Sequence, residues 1–311
     1  MLQRRAMQDT RPALSMICTL SGMFVLALTD NLVVLISETS SLWFFQTIRG
    51  ALAVSMIGCL ALLGLVSLKA KRPLRVIARN AMTATSLLVY FGCLAFLPIG
   101  VVAAGFLTAP IWVLVFSILF RGTRAGPRRL AAVALGFAGA LMVVWPEEGS
   151  LTLLSFTPIL AGVFYAISAI GTRAWCEGEG TWVMTFAYVG ILGLYGLTGL
   201  IILTIWPIGD PAAGVQWVTT GYVAPTVTFG WVTLAQAVGS ILGVLLLTRG
   251  YQLGEASYVA INEYSMIVFA SFFAWLLWDQ TISEFAMIGM GLIILSGSII
   301  ALRSDRPRVP A

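Results

Sequence analysis

The chain of 311 residues has no histidine, four cysteines and only 10% charged residues. Lack of histidine excludes histidine-dependent intramembrane proteolysis and histidine-ligated metal chemistry. Cys18, Cys59 and Cys93 fall in apolar segments and Cys176 in a loop, with no pair at metal-ligand spacing, so no disulfide is expected. No Walker-type phosphate loop is present, so ATP is not the direct energy source. No DDxxD-like cluster is there to hold Mg²⁺ for prenyl transfer. An enzyme is disfavoured, and neither cofactor nor metal is expected.

What is abundant is apolar surface. Hydrophobic residues make up 59% of the chain and mean hydropathy is +0.96, far from the values of a soluble domain. Ten apolar segments can be drawn, at 13–35, 42–68, 80–97, 99–120, 127–145, 152–174, 181–205, 229–250, 256–278 and 283–302. Each is close to the roughly 20 residues that cross a bilayer core. The sequence therefore predicts an all-α integral membrane protein with ten transmembrane helices, whose non-protein partner is the lipid bilayer.

Charge gives the orientation. Alternate flanking regions, starting with the N-terminal tail, hold Arg4, Arg5 and Arg11, then Lys69, Lys71, Arg72, Arg75 and Arg79. They continue with Arg121, Arg124, Arg128 and Arg129, then Arg173, Arg249, Arg303, Arg306 and Arg308. The other regions carry Glu38, Glu147, Glu148, Asp210, Asp279 and Glu284 and no basic residue. By the positive-inside rule both termini are cytoplasmic and the number of spans is even. The net charge of +5 is thus an orientation signal and not a nucleic-acid patch. The first apolar run continues into Thr29-Asp30-Asn31, as an uncleaved helix rather than a signal peptide.

Most turns are too short for an extramembrane domain, so function must reside within the helices. The longest gap, 206–228, is rich in Gly and Pro and holds Trp206, Trp217 and Tyr222, residues suited to the outer interface. The two halves also resemble each other. Leu97-Pro98-Ile99-Gly100 and Gly136/Gly139 in the first match Leu253-Gly254-Glu255-Ala256 and Gly289/Gly291/Gly297 in the second, with Leu97 and Leu253 offset by 156 residues. Five helices per half is an odd number, so the second half enters from the opposite side, giving inverted repeats at 13–145 and 152–302. Tails at 1–12 and 303–311 complete the chain.

Trp43-Phe44-Phe45-Gln46-Thr47-Ile48-Arg49-Gly50, the Ala95–Pro110 stretch and the pattern from Glu255 to Gly297 together resemble the ten-helix drug/metabolite transporter superfamily, EamA type. The resemblance covers nearly the whole chain. It implies a central cavity lined mainly by helices 1, 3, 4, 6, 8 and 9, with helices 5 and 10 in support, and a small-molecule substrate. One departure concerns the position matching Asp30 in helix 6, which is Ile170, so the site is expected to be asymmetric.

Three ionisable residues fall within the expected spans: Asp30, Arg49 and Glu263. A charge at mid-bilayer costs about 2.5–3.5 kcal/mol on insertion scales, so such residues usually face a cavity or a partner. Asp30 and Arg49 lie at similar depth in the outer half, either as a structural ion pair or as a gate and substrate contact. Glu263, two turns from the cytoplasmic end of helix 9, has no evident basic partner there; it is the candidate for proton coupling, or else it snorkels to the interface. Protons are accordingly the candidate coupling ion.

Asn31, Gln46, Tyr90, Trp112, Tyr165, Gln236, Asn262 and Tyr264 are candidates to line the pocket, the aromatic ones offering a flat face and a hydrogen-bonding edge. Pro110 should kink helix 4 and is the hinge candidate. The expected function is secondary active transport across the bacterial cytoplasmic membrane by alternating access. With the three buried groups summing to −1, cationic or zwitterionic metabolites such as amino acids, amines or S-adenosylmethionine-like compounds are favoured. Riboflavin-like flat metabolites are the alternative.

Overall fold

A computed structural model describes residues 11–93, 97, 99–121, 126–144, 153–208 and 216–301, and among them every regular element is helical. Helix α1 is Pro12–Asn31, resumed after a two-residue turn as α2, Val34–Ser37. Then come α3 (Leu42–Leu62), α4 (Pro73–Cys93), α5 (Ile99–Phe106), α6 (Ala109–Arg121) and α7 (Pro127–Val143). A 3-10 turn at Leu153–Phe156 leads into α8 (Pro158–Ala174), α9 (Thr181–Ile205) and the short α10 (Gln216–Thr219). The chain closes with α11 (Val227–Leu253), α12 (Ala256–Asn262), α13 (Ser265–Trp278) and α14 (Glu284–Ala301).

Local chemistry sets these boundaries. Pro12, Pro73, Pro127 and Pro158 are the first residues of α1, α4, α7 and α8, where a missing N–H breaks no helical bond. Ser41 and Thr226 cap α3 and α11 by accepting from the Phe44 and Phe229 N–H groups. At the end of α13, Asp279 takes a left-handed conformation with φ of 50°, which stops the helix.

Among the described residues, seven stretches are long and apolar enough to cross a membrane: Pro12–Ser37, Leu42–Leu62, Val101–Phe120, Leu153–Ala174, Thr181–Ile205, Val227–Leu253 and Ala256–Trp278. The expected spans at 80–97, 127–145 and 283–302 are not among them. The first corresponds to α4, which begins at Pro73 and takes Arg75 and Arg79 into its opening turns. The second corresponds to the 17-residue α7, with Arg128 and Arg129 at its start, and the third to the shorter apolar helix Glu284–Ile299. Helix α3 also ends at Leu62 rather than 68, in a turn where Gly64 takes φ of 73°. The tails at 1–10 and 302–311, part of the Ala95–Pro110 stretch (95, 96 and 98), Arg124, the Pro146–Ser150 turn and Asp210 lie outside the described residues.

The packing falls into pairs. α1 lies on α11 and α13, α3 on α9, α4 on α8, and α7 on α14. Glycine permits the closest approaches: a methyl group on Gly50 would lie 2.6 Å from Gly193 Cα, and one on Gly139 would lie 2.5 Å from the Gly289 carbonyl. Backbones this close are the small-residue mode of helix association in lipid, where burying apolar surface between helices gains little. Between α4 and α8 the contact is polar instead, with Arg79 on Thr172, Thr83 on Ser168 and Ser86 on the Ala161 carbonyl.

Basic side chains collect at one end of the bundle. Arg129 forms an ion pair with Glu255 and stacks over Tyr258, while Arg173 donates to the Gly254 carbonyl at 3.0 Å. The buried Glu179 carboxylate accepts from the backbone N–H groups of Lys71 and Arg72, at 3.0 and 2.6 Å. At the opposite end, Ser41 and Trp43 of α3 donate to the Thr220 and Val218 carbonyls, which fastens the 216–226 segment down. Trp206 and Tyr222 of this outer gap are exposed, whereas Trp217 packs on Phe45.

Candidate functional site

Three of the long apolar stretches are interrupted, and the interruptions carry the polar residues. The first span breaks at Leu32–Val33, directly after Asp30 and Asn31. The fourth breaks at Leu107–Thr108, between α5 and α6, and the ninth at Glu263–Tyr264, between α12 and α13. Leu107 and Glu263 stand at the same 156-residue offset that relates the sequence halves.

Pro110 explains the first of these two breaks, since it cannot donate to the Phe106 carbonyl and its ring crowds that position. The chain unwinds before it, and the Tyr264 hydroxyl donates to the freed Leu107 carbonyl at 3.1 Å. The two breaks therefore touch. Tyr264 itself is fully buried against Gly136.

Towards the end opposite the basic residues, Asp30 and Arg49 do not pair directly. Gln236 of α11 stands between them, its Nε2 donating to Asp30 Oδ1 at 2.9 Å and its Oε1 accepting from Arg49 Nη1 at 3.3 Å. The direct Asp30–Arg49 pair allowed by the sequence is thus replaced by a bridged one, through a Gln side chain that is 0% exposed. Arg49 also lies 5.3 Å from the centre of the Phe45 ring. A narrow crevice of about 10 Å³, roughly the room one water needs, opens beside it, lined by Gln46, Arg49, Ala53, Leu192 and Ser240 among others. The buried Gln46 Oε1 in its wall has no hydrogen-bond partner.

Towards the basic end, the Tyr165 hydroxyl donates to Glu263 Oε1 at 2.8 Å. The Tyr251 hydroxyl, also buried, faces the same carboxylate without meeting hydrogen-bond geometry. Contrary to the expectation that Glu263 has no basic neighbour, the charge of Arg79 reaches it from α4. Arg79 is the residue that sequence reasoning missed. Because α4 begins at Pro73, Arg79 lies two turns inside a helix and is 6% exposed, bonded to Thr172 Oγ1 at 2.9 Å and Asn80 Oδ1 at 2.7 Å. Just outside the span, burial pushes the Cys176 thiol above its ordinary range despite the nearby Arg79 charge.

Aromatic rings join the two clusters. Tyr90 meets Phe106 edge-on at 5.5 Å, and Phe106 meets Tyr165 in the same manner at 5.5 Å. Tyr188 lies within reach of the charges of Asp30, Arg49 and Arg79 alike. Asp30 is exposed, and Arg49, Tyr90, Phe106, Tyr165 and Glu263 keep part of their surface accessible, although their neighbours come from several helices.

Four charges within the helices, two acidic and two basic, therefore lie around an aromatic wall. The expected net of −1 becomes zero once Arg79 is counted, which removes the charge argument for a cationic substrate.

The remaining sequence candidates divide. Asn31 donates to the Ala27 and Ala270 carbonyls and so ties α1 to α13. Trp112 packs beside Phe116 on the cluster around Val113 and Ala166, and Asn262 is buried at the α12–α13 break. Tyr188, Tyr251 and Phe106 join the site without having been singled out, since one aromatic residue in an apolar segment looks like any other.

No family model matches the chain. It is 25% identical over 251 residues to a riboflavin transporter of Rhizobium johnstonii, covering 80% of this chain and 77% of that one. It is 27% identical over 224 residues to the pseudopaline exporter CntI of Pseudomonas aeruginosa, covering 71% and 72%. An uncharacterized transporter of Helicobacter pylori is 26% identical over 196 residues, 62% of each chain. One solved crystal structure superposes with a TM-score of 0.74 at 14% identity, over 94% of this chain and 99% of that one, a likeness of fold alone. With several apolar helices and relatives of this kind, the chain is a multi-pass membrane protein, and the likeness supports a membrane transporter.

Proposed function

We propose that this chain is a secondary active transporter of the bacterial cytoplasmic membrane that carries a small zwitterionic or neutral polar metabolite by alternating access. One observation carries the reading: Asp30 and Glu263 sit at two of the three helix breaks, and aromatic rings run between them. Unwound helices at mid-membrane are tolerated where they line a cavity, and they are the usual place for transported ligands.

In this reading ten helices form two inverted five-helix repeats of the EamA type, with both termini cytoplasmic. The partnerships between helices support it, because they recur when each helix is exchanged for its counterpart five along. α1 with α11 matches α8 with α4, and α1 with α13 matches α8 with α6, while α3–α9 and α7–α14 map onto themselves. Rocking one repeat against the other would alternate access. The Arg129–Glu255 pair would close the cytoplasmic mouth and the Asp30–Gln236–Arg49 bridge the outer one.

Glu263 is the proton-coupling group of this proposal, since it lies at a break, keeps accessible surface and is held by a neutral hydroxyl. In proteoliposomes, Glu263→Gln is expected to lose accumulation driven by an imposed proton gradient while retaining exchange of substrate across the membrane. Wild-type rate and pH dependence in that variant would end the proton role.

The second reading, transport of a flat riboflavin-like metabolite, is favoured by the Tyr90–Phe106–Tyr165 wall and by the riboflavin transporter among the relatives. Uptake of labelled riboflavin set against labelled amino acids separates the two.

A further inference from the structure

We propose that the Arg79 guanidinium is the docking point for a carboxylate on the substrate, so that what is carried is a zwitterion of the amino-acid kind with a flat apolar body. The inference rests on the transporter reading and assigns a residue and a chemical group to it.

A guanidinium does not lose its proton in a protein, so a buried arginine must find its compensation elsewhere. Arg79 finds only neutral acceptors, Thr172 Oγ1 and Asn80 Oδ1, which occupy its Nε and Nη1. Among the described residues no carboxylate pairs with Arg79 within 4.0 Å, unlike Arg129, which meets Glu255 at the end of the bundle. Glu263, whose charge reaches Arg79, is bonded by the Tyr165 hydroxyl instead. A desolvated cation without a bonded counter-ion is costly, and its usual remedy is an anion received in the fork of the guanidinium.

A second observation points to the same place. The Tyr251 hydroxyl is buried, with the residue 1% exposed, and faces the Glu263 carboxylate within this cluster, yet among the described residues it meets no partner at full hydrogen-bond geometry. A bound carboxylate would give it one. Beside the cluster, Tyr165 continues through Phe106 to Tyr90, so a ligand held at Arg79 has a wall of rings to lie against. The Arg79–Thr172 bond fixes the guanidinium from behind, which makes Thr172 a positioning residue.

Three compounds with one ring and different charge test the proposal: indole-3-propionate, L-tryptophan and tryptamine. Dissociation constants are measured by titration calorimetry on the purified, detergent-solubilised protein. The wild type is expected to bind the two carboxylates at least tenfold more tightly than tryptamine. Arg79→Gln should abolish that preference, Arg79→Lys should keep part of it, and Thr172→Val should weaken carboxylate binding severalfold in a protein that still folds.

An unchanged preference in Arg79→Gln, tighter binding of tryptamine, or binding of none of the three by folded wild type would overturn the proposal. Should Arg79→Gln fail to fold, the Lys and Val variants decide by the same preference. Flux in proteoliposomes is scored separately. Arg79-dependent binding without flux leaves this inference standing and removes the transporter reading, whereas flux that ignores Arg79 does the reverse.

Discussion

Gln236→Leu removes the side chain that bridges Asp30 and Arg49 while roughly keeping its volume. Neutral hydrogen bonds within membranes are worth about 0.6 kcal/mol on average in double-mutant cycles, and a charged partner roughly doubles such a bond. The 2.9 Å contact to Asp30 should then be worth about 1.2 kcal/mol, near an eightfold change in the folding equilibrium. The 3.3 Å contact to Arg49, at the long edge of hydrogen-bond geometry, should add about 0.5 kcal/mol. A cycle of Gln236→Leu, Asp30→Ala and the double variant isolates the first contact. Reversible unfolding in mixed micelles is the assay, and a coupling energy of about 1 kcal/mol is expected. A coupling below roughly 0.3 kcal/mol, the usual error of additivity, would mean that Asp30 and Gln236 do not hold each other and that the bridged outer cluster is wrong.

Three further outcomes follow from the packing. Gly50→Ala should cost about 1–3 kcal/mol by forcing α3 off Gly193, whereas Gly58→Ala, with open space around it, should cost nothing; equal effects on thermal unfolding would refute the close contact. Tyr264→Phe should cost about 1 kcal/mol because the Leu107 carbonyl loses its donor at the break, and should alter transport rate more than substrate affinity. Glu255→Gln should destabilise by about 1–2 kcal/mol, less than a fully buried pair would because Glu255 is a third exposed, and Arg129→Met/Glu255→Leu should restore most of it. A Glu255→Gln variant as stable as the wild type would remove that contact as a gate.

Hydropathy alone placed α9 at 181–205 and the α12–α13 stretch at 256–278, because a helix in lipid must be apolar for its whole length. The same signal misplaced α4, whose first two turns carry Arg75, Arg79 and Asn80, the last two of them buried. Arg79 thereby counted as an orientation signal. Pro73 marked the true start, since proline is favoured at the first position of a helix. Pro110 announced the break at Leu107–Thr108, but the break at Glu263–Tyr264 has no proline and was visible only as an unusually polar tripeptide. The Gln236 bridge spans 206 and 187 residues of chain to its two partners, and no local pattern encodes such a meeting.

The most direct test of the central claim is accumulation of labelled L-tryptophan, other amino acids, S-adenosylmethionine and riboflavin in proteoliposomes of the purified protein, with and without an imposed proton gradient. Gradient-dependent accumulation of at least one compound, lost in Glu263→Gln, is the predicted result. Folded protein that moves none of them under any gradient would contradict the account of this chain as a proton-coupled metabolite transporter.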